Sequence, residues 1–443
     1  MRVALVIVVV VGCHGSDKPK STRGSGVSPV EIVNQPQFPD ASGRAAGAVS
    51  EEIEPNDGDD VATPFPLDST MRGKLDSDAD VDHYRIDVDK PGALSLMVNA
   101  VDADLVVELE DGNGAMVARS DRGGVRVKEG LPNFGVLPGR YTAVVKAAQK
   151  RKVAVKKGRA PPADKSGERP TRSAAEGGAK VNDKPAVAYE LTSALVAIPP
   201  NGEHEPDEDR GTANDLIIGD AGTGYLGWAG DVDVWKLSVE TLSAKNSIDV
   251  EVSAVEGVAL ELAIDDGIGN PVVTRKAPRG SPLVVRGLVP NVPANSPPFH
   301  YLTLKGAGSN PETAYTVRVT AGVPITDAEV EPNDSVDKPY AVPADRTIVH
   351  AKWSPGDTDC FALSGAGAIT ASVNPPNDFD PVAELFVDGK SVMIANKGKK
   401  GAEEKVNATV LPGGKAVVCV KSADANATGE AAYDVTIQDE SGP

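Results

Sequence analysis

Three short stretches of this chain gather oxygen donors. Glu52, Glu54, Asn56 and Asp57 form the first, Glu203, Glu205, Asp207 and Glu208 the second, and Glu329, Glu331, Asn333 and Asp334 the third. Each is followed by an Asp-x-Asp pair: Asp80 and Asp82, Asp231 and Asp233, Asp357 and Asp359. The second Glu of each opening precedes the first Asp of its pair by 26 residues in all three cases (54 to 80, 205 to 231, 331 to 357). Chance is a poor explanation for that spacing. Such sets offer hard oxygens, and calcium takes six to eight of them. Carboxylates crowded side by side repel and raise one another's pKa, which a divalent cation relieves. The competing reading is a solvated acidic cap, in which Asn56 and Asn333 make turns and the aspartates cap strand-end amides. The second opening departs from the others, with Asp207 and Glu208 replacing Asn and Asp. Its charge is kept, but the longer Glu208 suits a compact cage less well. Either reading makes these residues structural.

Other chemistry is sparse. The chain has no Gly-x-Ser-x-Gly elbow, no His-Glu-x-x-His, no Gly-rich phosphate loop and no Cys-x-x-Cys. His83 has Val234 and Cys360 as counterparts, so no base is repeated there, and His204 between two Glu reads as solvated or as a neighbour of a metal. His300 and His350 have no repeated acidic company. Glu108 and Glu110 could mimic a glycosidase pair, but exposed carboxylates on one strand face are the plainer account. The expectation is a protein that is not an enzyme. With 64 acidic against 45 basic residues and a formal charge of -19, it lacks the positive field that nucleic-acid binding requires.

The elements that must position the acids are strands. Gly and Pro number 45 and 35 of 443 residues while aromatics make up 4%, a composition suited to short strands joined by many turns. Alternation begins just after each Asp pair, at Tyr84/Ile86/Val88, Trp235/Leu237/Val239 and Phe361/Leu363. Second strands read Leu94/Leu96/Val98 and Ile369/Ala371/Val373. Third strands end at Asp111-Gly112, Asp266-Gly267 and Asp388-Gly389, pairs that suit hairpin turns. Each copy closes on Ala-Tyr, at Tyr189, Tyr315 and Tyr433. Seven or eight such strands per copy, each with one apolar face, call for two sheets packed face to face. The fold class is therefore all-β: three tandem jelly-roll-like sandwiches spanning 51–200, 201–325 and 326–443, with a basic insert at 147–186 in the first. The insert reads as a solvated loop or as a contact arm for anionic lipid, polysaccharide or an acidic neighbour.

The start of the chain supplies an address. Arg2 precedes nine apolar residues, Val3 to Val11, too short a run to span a bilayer and right for a signal segment. Val10-Val11-Gly12-Cys13 resembles a bacterial lipobox, which makes 1–12 a lipoprotein signal peptide, Cys13 the lipidated residue and 13–50 a flexible tether. The expected location is the bacterial cell envelope, lipid-anchored; with His14 in place of a retention Asp, the outer membrane is the favoured address. Cys360 and Cys419 remain. Cys360 is expected to face away from Phe361 and Leu363, and Cys419 takes the place of Val145. A disulfide and a pair of buried thiols are both open, because opposite faces would forbid a bond.

The openings, the Asp-x-Asp-x-aromatic strands and the closing Ala-Tyr strands resemble bacterial pre-peptidase C-terminal domains over most of residues 51 to 440. That resemblance implies small jelly-roll-like sandwiches, often without a protease of their own, several of which bind calcium near the N-terminal segment. It implies ligands at Glu52, Glu54, Asn56, Asp57 and Asp80 in the first copy and Glu329, Glu331, Asn333, Asp334 and Asp357 in the third. Asp82 and Asp359 are nearby but out of step by one with the family's second acid. The expected function is a non-catalytic envelope module that binds or adheres to a protein or polysaccharide, its sandwiches steadied by calcium. The alternatives are a spacer or accessory lipoprotein, or an accessory subunit of a separate secreted protease. Exposed Trp or Tyr grouped on one sheet would favour binding, whereas Trp228 and Trp353 lie close enough to the Asp pairs to pack beside them instead.

Overall fold

The computed structural model describes residues 47–100, 102–148, 186–242, 246–292 and 295–439. The signal segment, Cys13, most of the tether and nearly all of the basic insert lie outside the described residues. Within them the chain is all β, with no helix. Among the described residues no helix is long and apolar enough to cross a membrane.

Six sheets pack in pairs around three hydrophobic cores. In each pair, one sheet runs from the strand after the acidic opening, through the closing Tyr strand and the second strand, to a fourth strand at the far edge. These are Thr70–Leu75, Val187–Val196, Gly92–Asn99 and Glu129–Val136 in the first sandwich. Their counterparts are Ala221–Gly224, Tyr315–Gly322, Ser247–Val252 and Leu283–Leu288 in the second. In the third they are Ile348–Trp353, Ala431–Asp439, Gly367–Asn374 and Glu404–Val410. The facing sheet carries the Asp pair: Val81–Val88, Val232–Ser238 and Asp359–Leu363. The described residues hold ten, nine and nine strands in the three sandwiches rather than seven or eight. The surplus is made of short parallel pieces such as Thr63–Pro64 beside Tyr84 and Tyr340–Ala341 beside Phe361, too brief for periodicity to reveal.

Period-two alternation does the sorting. Tyr84, Ile86 and Val88 are buried on one side of their strand, as are Trp235 and Leu237, and Phe361 and Leu363. Each fully buried Leu, Val or Phe contributes about 1.5–3 kcal/mol relative to exposure. The same alternation drives the second Asp of each pair inward, because Asp82, Asp233 and Asp359 stand two residues before those aromatics. All three are fully buried. A carboxylate is thus delivered to the open end of every core.

Consecutive sandwiches are joined the same way twice. Asn133 to Gly135 of sandwich one run beside Glu205 of sandwich two, with Gly135 N donating to Glu205 O at 2.7 Å and Glu205 N to Asn133 O at 3.1 Å. Gly287 to Val289 of sandwich two run beside Glu331 of sandwich three, with Val289 N donating to Glu331 O at 2.9 Å and Glu331 N to Gly287 O at 3.1 Å. Asn133 and Gly287, the first residues of these contacts, both have positive φ (55° and 63°). This conformation is open to Gly and tolerated by Asn, and each residue sits at a register irregularity of its edge strand. The acidic openings of sandwiches two and three therefore lie at joints.

Cys360 and Cys419 sit directly opposite each other on adjacent antiparallel strands and form a disulfide. Register places Cys419 at the position of Val144, since His83 faces Val144 while Asp82 faces Val145. The assignment to Val145 is off by one, and one residue in a strand is the difference between opposite faces and the same face. Cys360 does face away from Phe361 and Leu363, packing with Cys419, Val417, Val336 and Phe386 outside the main core. Glu108, expected on an exposed face, is buried between Arg119 at 2.7 Å and Lys146 at 2.5 Å. His350 has an acid beside it in this one copy, Asp434, 2.7 Å from its Nδ1.

Candidate metal centres

Each opening folds over the end of its sandwich by the same local bonds. The main-chain N–H after the second Asp is held by the opening: His83 N donates to Asn56 O at 3.0 Å, Val234 N to Asp207 O at 3.2 Å and Cys360 N to Asn333 O at 2.9 Å. The second Glu accepts from the amide two residues on, in Asn56 N to Glu54 at 3.0 Å, Asp207 N to Glu205 at 3.0 Å and Asn333 N to Glu331 at 2.7 Å. These Asx-like turns aim the acidic side chains at the inward Asp. The first Asp of each pair is largely spent on its own turn: Asp80 accepts from the amides of Asp76 and Val81, and Asp231 from those of Gly227 and Val232. Asp357 accepts from Thr358 N and Ser354 Oγ. Strand-end capping is thus correct for the first acid, while the second acid, out of step with the resembled motif, is the one at the heart of each cluster.

The first cluster is the most open. Glu52, Glu54 and Asp82 bring oxygens within 4.8 Å of one another, and Glu54, Asp76 and Asp80 form an adjoining group. Asp57 is exposed and outside both. Asn56 is buried with its amide between Glu54 Oε2 and Asp82 Oδ1, 3.2 Å from each. Turned one way that amide donates to both acids, and turned the other it adds an oxygen to their cage. Tyr189 donates to Asp82 and Tyr84 to Glu52 at 2.7 Å. Burial pushes Asp82 up to about 8 against the pull of Tyr189, with Glu52, Asp80 and Glu54 adding to the rise.

The second cluster is the most enclosed. Glu203, Glu205, Asp207 and Asp233 are all buried, with oxygens within 4.8 Å of one another, and Asp231 is buried beside them. No Lys or Arg among the described residues pairs with any of the five. Glu205 Oε1, Asp207 Oδ1 and both oxygens of Asp233 lack a hydrogen-bond donor. Tyr315 is close enough to favour the charged form of Asp233 but does not reach bonding geometry; its hydroxyl accepts from Trp235 Nε1 at 2.9 Å. Burial first, then mutual repulsion, pushes Glu205 up to about 11, and burial raises Asp207 to about 8 and Asp231 to about 7. Glu208 is exposed and takes no part in the cage, so its length costs nothing. The sequence ranks this opening weakest as a calcium site, yet of the three clusters it gathers the most buried carboxylates. Asp207 adds a carboxylate where the others have Asn, and sandwich one covers the cluster.

The third cluster holds a cation already. Glu331, Asp357 and Asp359 gather their oxygens, and Arg275, from the edge of sandwich two, lies among them. Its Nη2 is 2.6 Å from Glu331 and 2.7 Å from Asp357, and its Nη1 donates to Asp334. Burial alone would lower the Arg275 pKa, but the surrounding carboxylates raise it. Glu329 accepts from Lys352 N at 2.6 Å and from Asn333 Nδ2 at 2.9 Å, and Tyr433 donates to Asp359. Burial pushes Glu329 up to about 7 and Asp334 to about 6.

Two contributors escaped sequence reasoning. The closing tyrosines were visible as a repeat, but nothing marked their hydroxyls as partners of the acids. Arg275 belongs to no repeat. Trp353 does pack beside the acids, its Nε1 donating to Asp357 O at 3.0 Å. Trp228 turns to the core of sandwich one.

No family model matches the chain, and no curated protein matches it. Similar solved structures include the pre-peptidase C-terminal domain of a collagenase from Bacillus anthracis, at 16% identity over 30% of this chain and 93% of that one, with a TM-score of 0.19. The exported protein XepA of PBSX is 11% identical over 50% of this chain and 87% of its own, with a TM-score of 0.19. At these scores the likeness carries no weight for function.

Proposed function

We propose that the chain is a non-catalytic spacer of the bacterial cell envelope, anchored by lipid on Cys13, whose first two sandwiches are clipped by calcium. The observation that carries this reading is the second cluster. Five buried carboxylates meet at a joint with no positive partner among the described residues, and four of their oxygens have no donor. Burying even one unpaired charge is expensive, and a hard dication is what such oxygens suit. Glu203, Glu205, Asp207 and Asp233 would hold it, tying the opening of sandwich two to its own core end and, through the Glu205 backbone, to sandwich one. The first cluster offers the same donors to a weaker, more solvated site.

A spacer fits better than an adhesin. Trp235 and Trp353 are buried and Trp228 is half-buried against a core, while Tyr84, Tyr189, Tyr315 and Tyr433 are buried at the core ends. Among the described residues the aromatics that share an outward sheet face, Phe299 and Tyr301, are half-buried and each is covered by a cation, Lys236 over Phe299 and Arg210 over Tyr301. Calorimetric calcium titration, with thermal melts in calcium and in chelator, tests the reading. Heat of binding and a raised melt are expected, and no heat with unchanged melts would return the acids to ordinary caps.

A further inference from the structure

Strand register gives three different residues at one equivalent place. Ser120 faces Val107 in sandwich one, Arg275 faces Leu262 in sandwich two and Ala395 faces Ala383 in sandwich three. In sandwich two the strand is Pro271–Ala277, an edge whose inward positions are Val273, Arg275 and Ala277. An arginine at an inward position has no place in its own core. Arg275 is 1% exposed because it crosses into sandwich three and spends its guanidinium on Glu331, Asp334 and Asp357.

The second cluster shows what the third would be without it. Glu331 Oε1 is bonded to Arg275, whereas the matching Glu205 Oε1 has no partner. At the joint above the second cluster the residue in register is Ser120, whose hydroxyl turns back to Glu129 at 2.6 Å. Both joints share the same backbone contact and both are crossed by side chains, the first by Arg122 on Ser309 and Lys128 on Glu312, so what sets them apart is the charge placed inside the acidic cluster. In the third cluster only Asn333 Oδ1 and Asp359 Oδ1 are left without a donor, far short of the six to eight oxygens of a calcium shell. The joint is tightened further by Arg286 on Glu430, at 2.8 and 3.0 Å, and by Ser354 Oγ on Val284 O at 3.1 Å.

We infer that Arg275 is the resident cation of the third acidic cluster, standing where a divalent ion would sit. The joint between sandwiches two and three is thereby closed by the chain's own charge and is indifferent to metal. The joint between sandwiches one and two is the cation-dependent one, a contrast that rests on the calcium reading of the second cluster. The chain then has one permanent joint and one that loss of metal would loosen.

Counting bound calcium by equilibrium dialysis tests this on the full chain. Arg275→Met should bind one more ion per chain than wild type, because it uncovers a vacant carboxylate cage. Equal counts in the folded variant, with the near-UV dichroism of wild type retained, would overturn the inference. Glu331→Gln in an otherwise wild-type chain provides a second reading that does not depend on the arginine variant folding. Its calcium count should be unchanged, since the third cluster holds no ion, and loss of one ion would overturn the inference. Failure of the second cluster to bind is separable: it lowers the wild-type count and leaves the difference between wild type and Arg275→Met untouched.

Discussion

Replacing Glu205 by Gln should make the metal-free protein more stable and the calcium-loaded protein less responsive. Glu205 is 1% exposed, its Oε1 has no donor, and burial together with Asp207, Asp231 and Asp233 pushes its pKa from 4.5 up to about 11. A carboxyl whose folded pKa is raised contributes stability below its unfolded pKa and loses it as pH rises toward the folded value. Without metal, sandwich two therefore weakens from about pH 4.5 upward, by about 1.4 kcal/mol per pH unit, or about 3 kcal/mol at pH 7. Gln keeps the acceptor for Asp207 N and carries no charge, so that loss disappears. Calcium at a hundredfold over its Kd returns about 2.7 kcal/mol to wild type and much less to the variant. The assay is urea unfolding of both proteins in chelator at pH 5 and pH 8, then in calcium. In chelator the variant should exceed wild type at pH 8 and approach it at pH 5. A variant weaker than wild type in chelator, with an undiminished calcium response, would refute the reasoning.

Three further outcomes follow from the same geometry. Gly224→Ala drives a Cβ into Glu203 Oε2 and the Tyr315 hydroxyl; it should cost about 1–3 kcal/mol by overpacking and weaken calcium binding, and an unchanged titration would show that the cage tolerates displacement of Glu203. Removing both cysteines opens a loop closed across 59 positions and should cost sandwich three about 4 kcal/mol, read as a lower urea midpoint that reductant reproduces in wild type. Glu430 is exposed and bonded to Arg286, which together with Lys352 lowers its pKa, so its contribution is present above about pH 4.5 and lost in acid. Glu430→Gln should cost about 1 kcal/mol at pH 7, and a difference from wild type that persists at pH 3 would contradict that assignment.

Much of the fold was legible because alternation and repetition are local. Tyr84, Trp235 and Phe361 announced strands, and the invariant gap of 26 announced that opening and Asp pair meet. The acidic clusters were legible as sets of residues but not as environments. The second cluster's neighbours from sandwich one, Asn133 to Gly135 on the Glu205 backbone, lie more than 65 residues upstream of Glu205 and carry no acidic signature. Glu208 looked like a defect only while it was assumed to point inward. Arg275 is 56 residues from Glu331 in sequence and unlike Ser120 and Ala395 at the same register, so comparing copies could not flag it. The cystine turned on a one-residue register that sequence spacing alone does not determine, because Val144 and Val145 are both apolar.

The central claim is that the second cluster is a cation site. Crystals grown in calcium, with an anomalous difference map recorded on the low-energy side where calcium scatters, test it most directly. The account predicts a peak bounded by oxygens of Glu205, Asp207 and Asp233. A cluster filled by water alone, with the carboxyls protonated and bonded to one another, would contradict it.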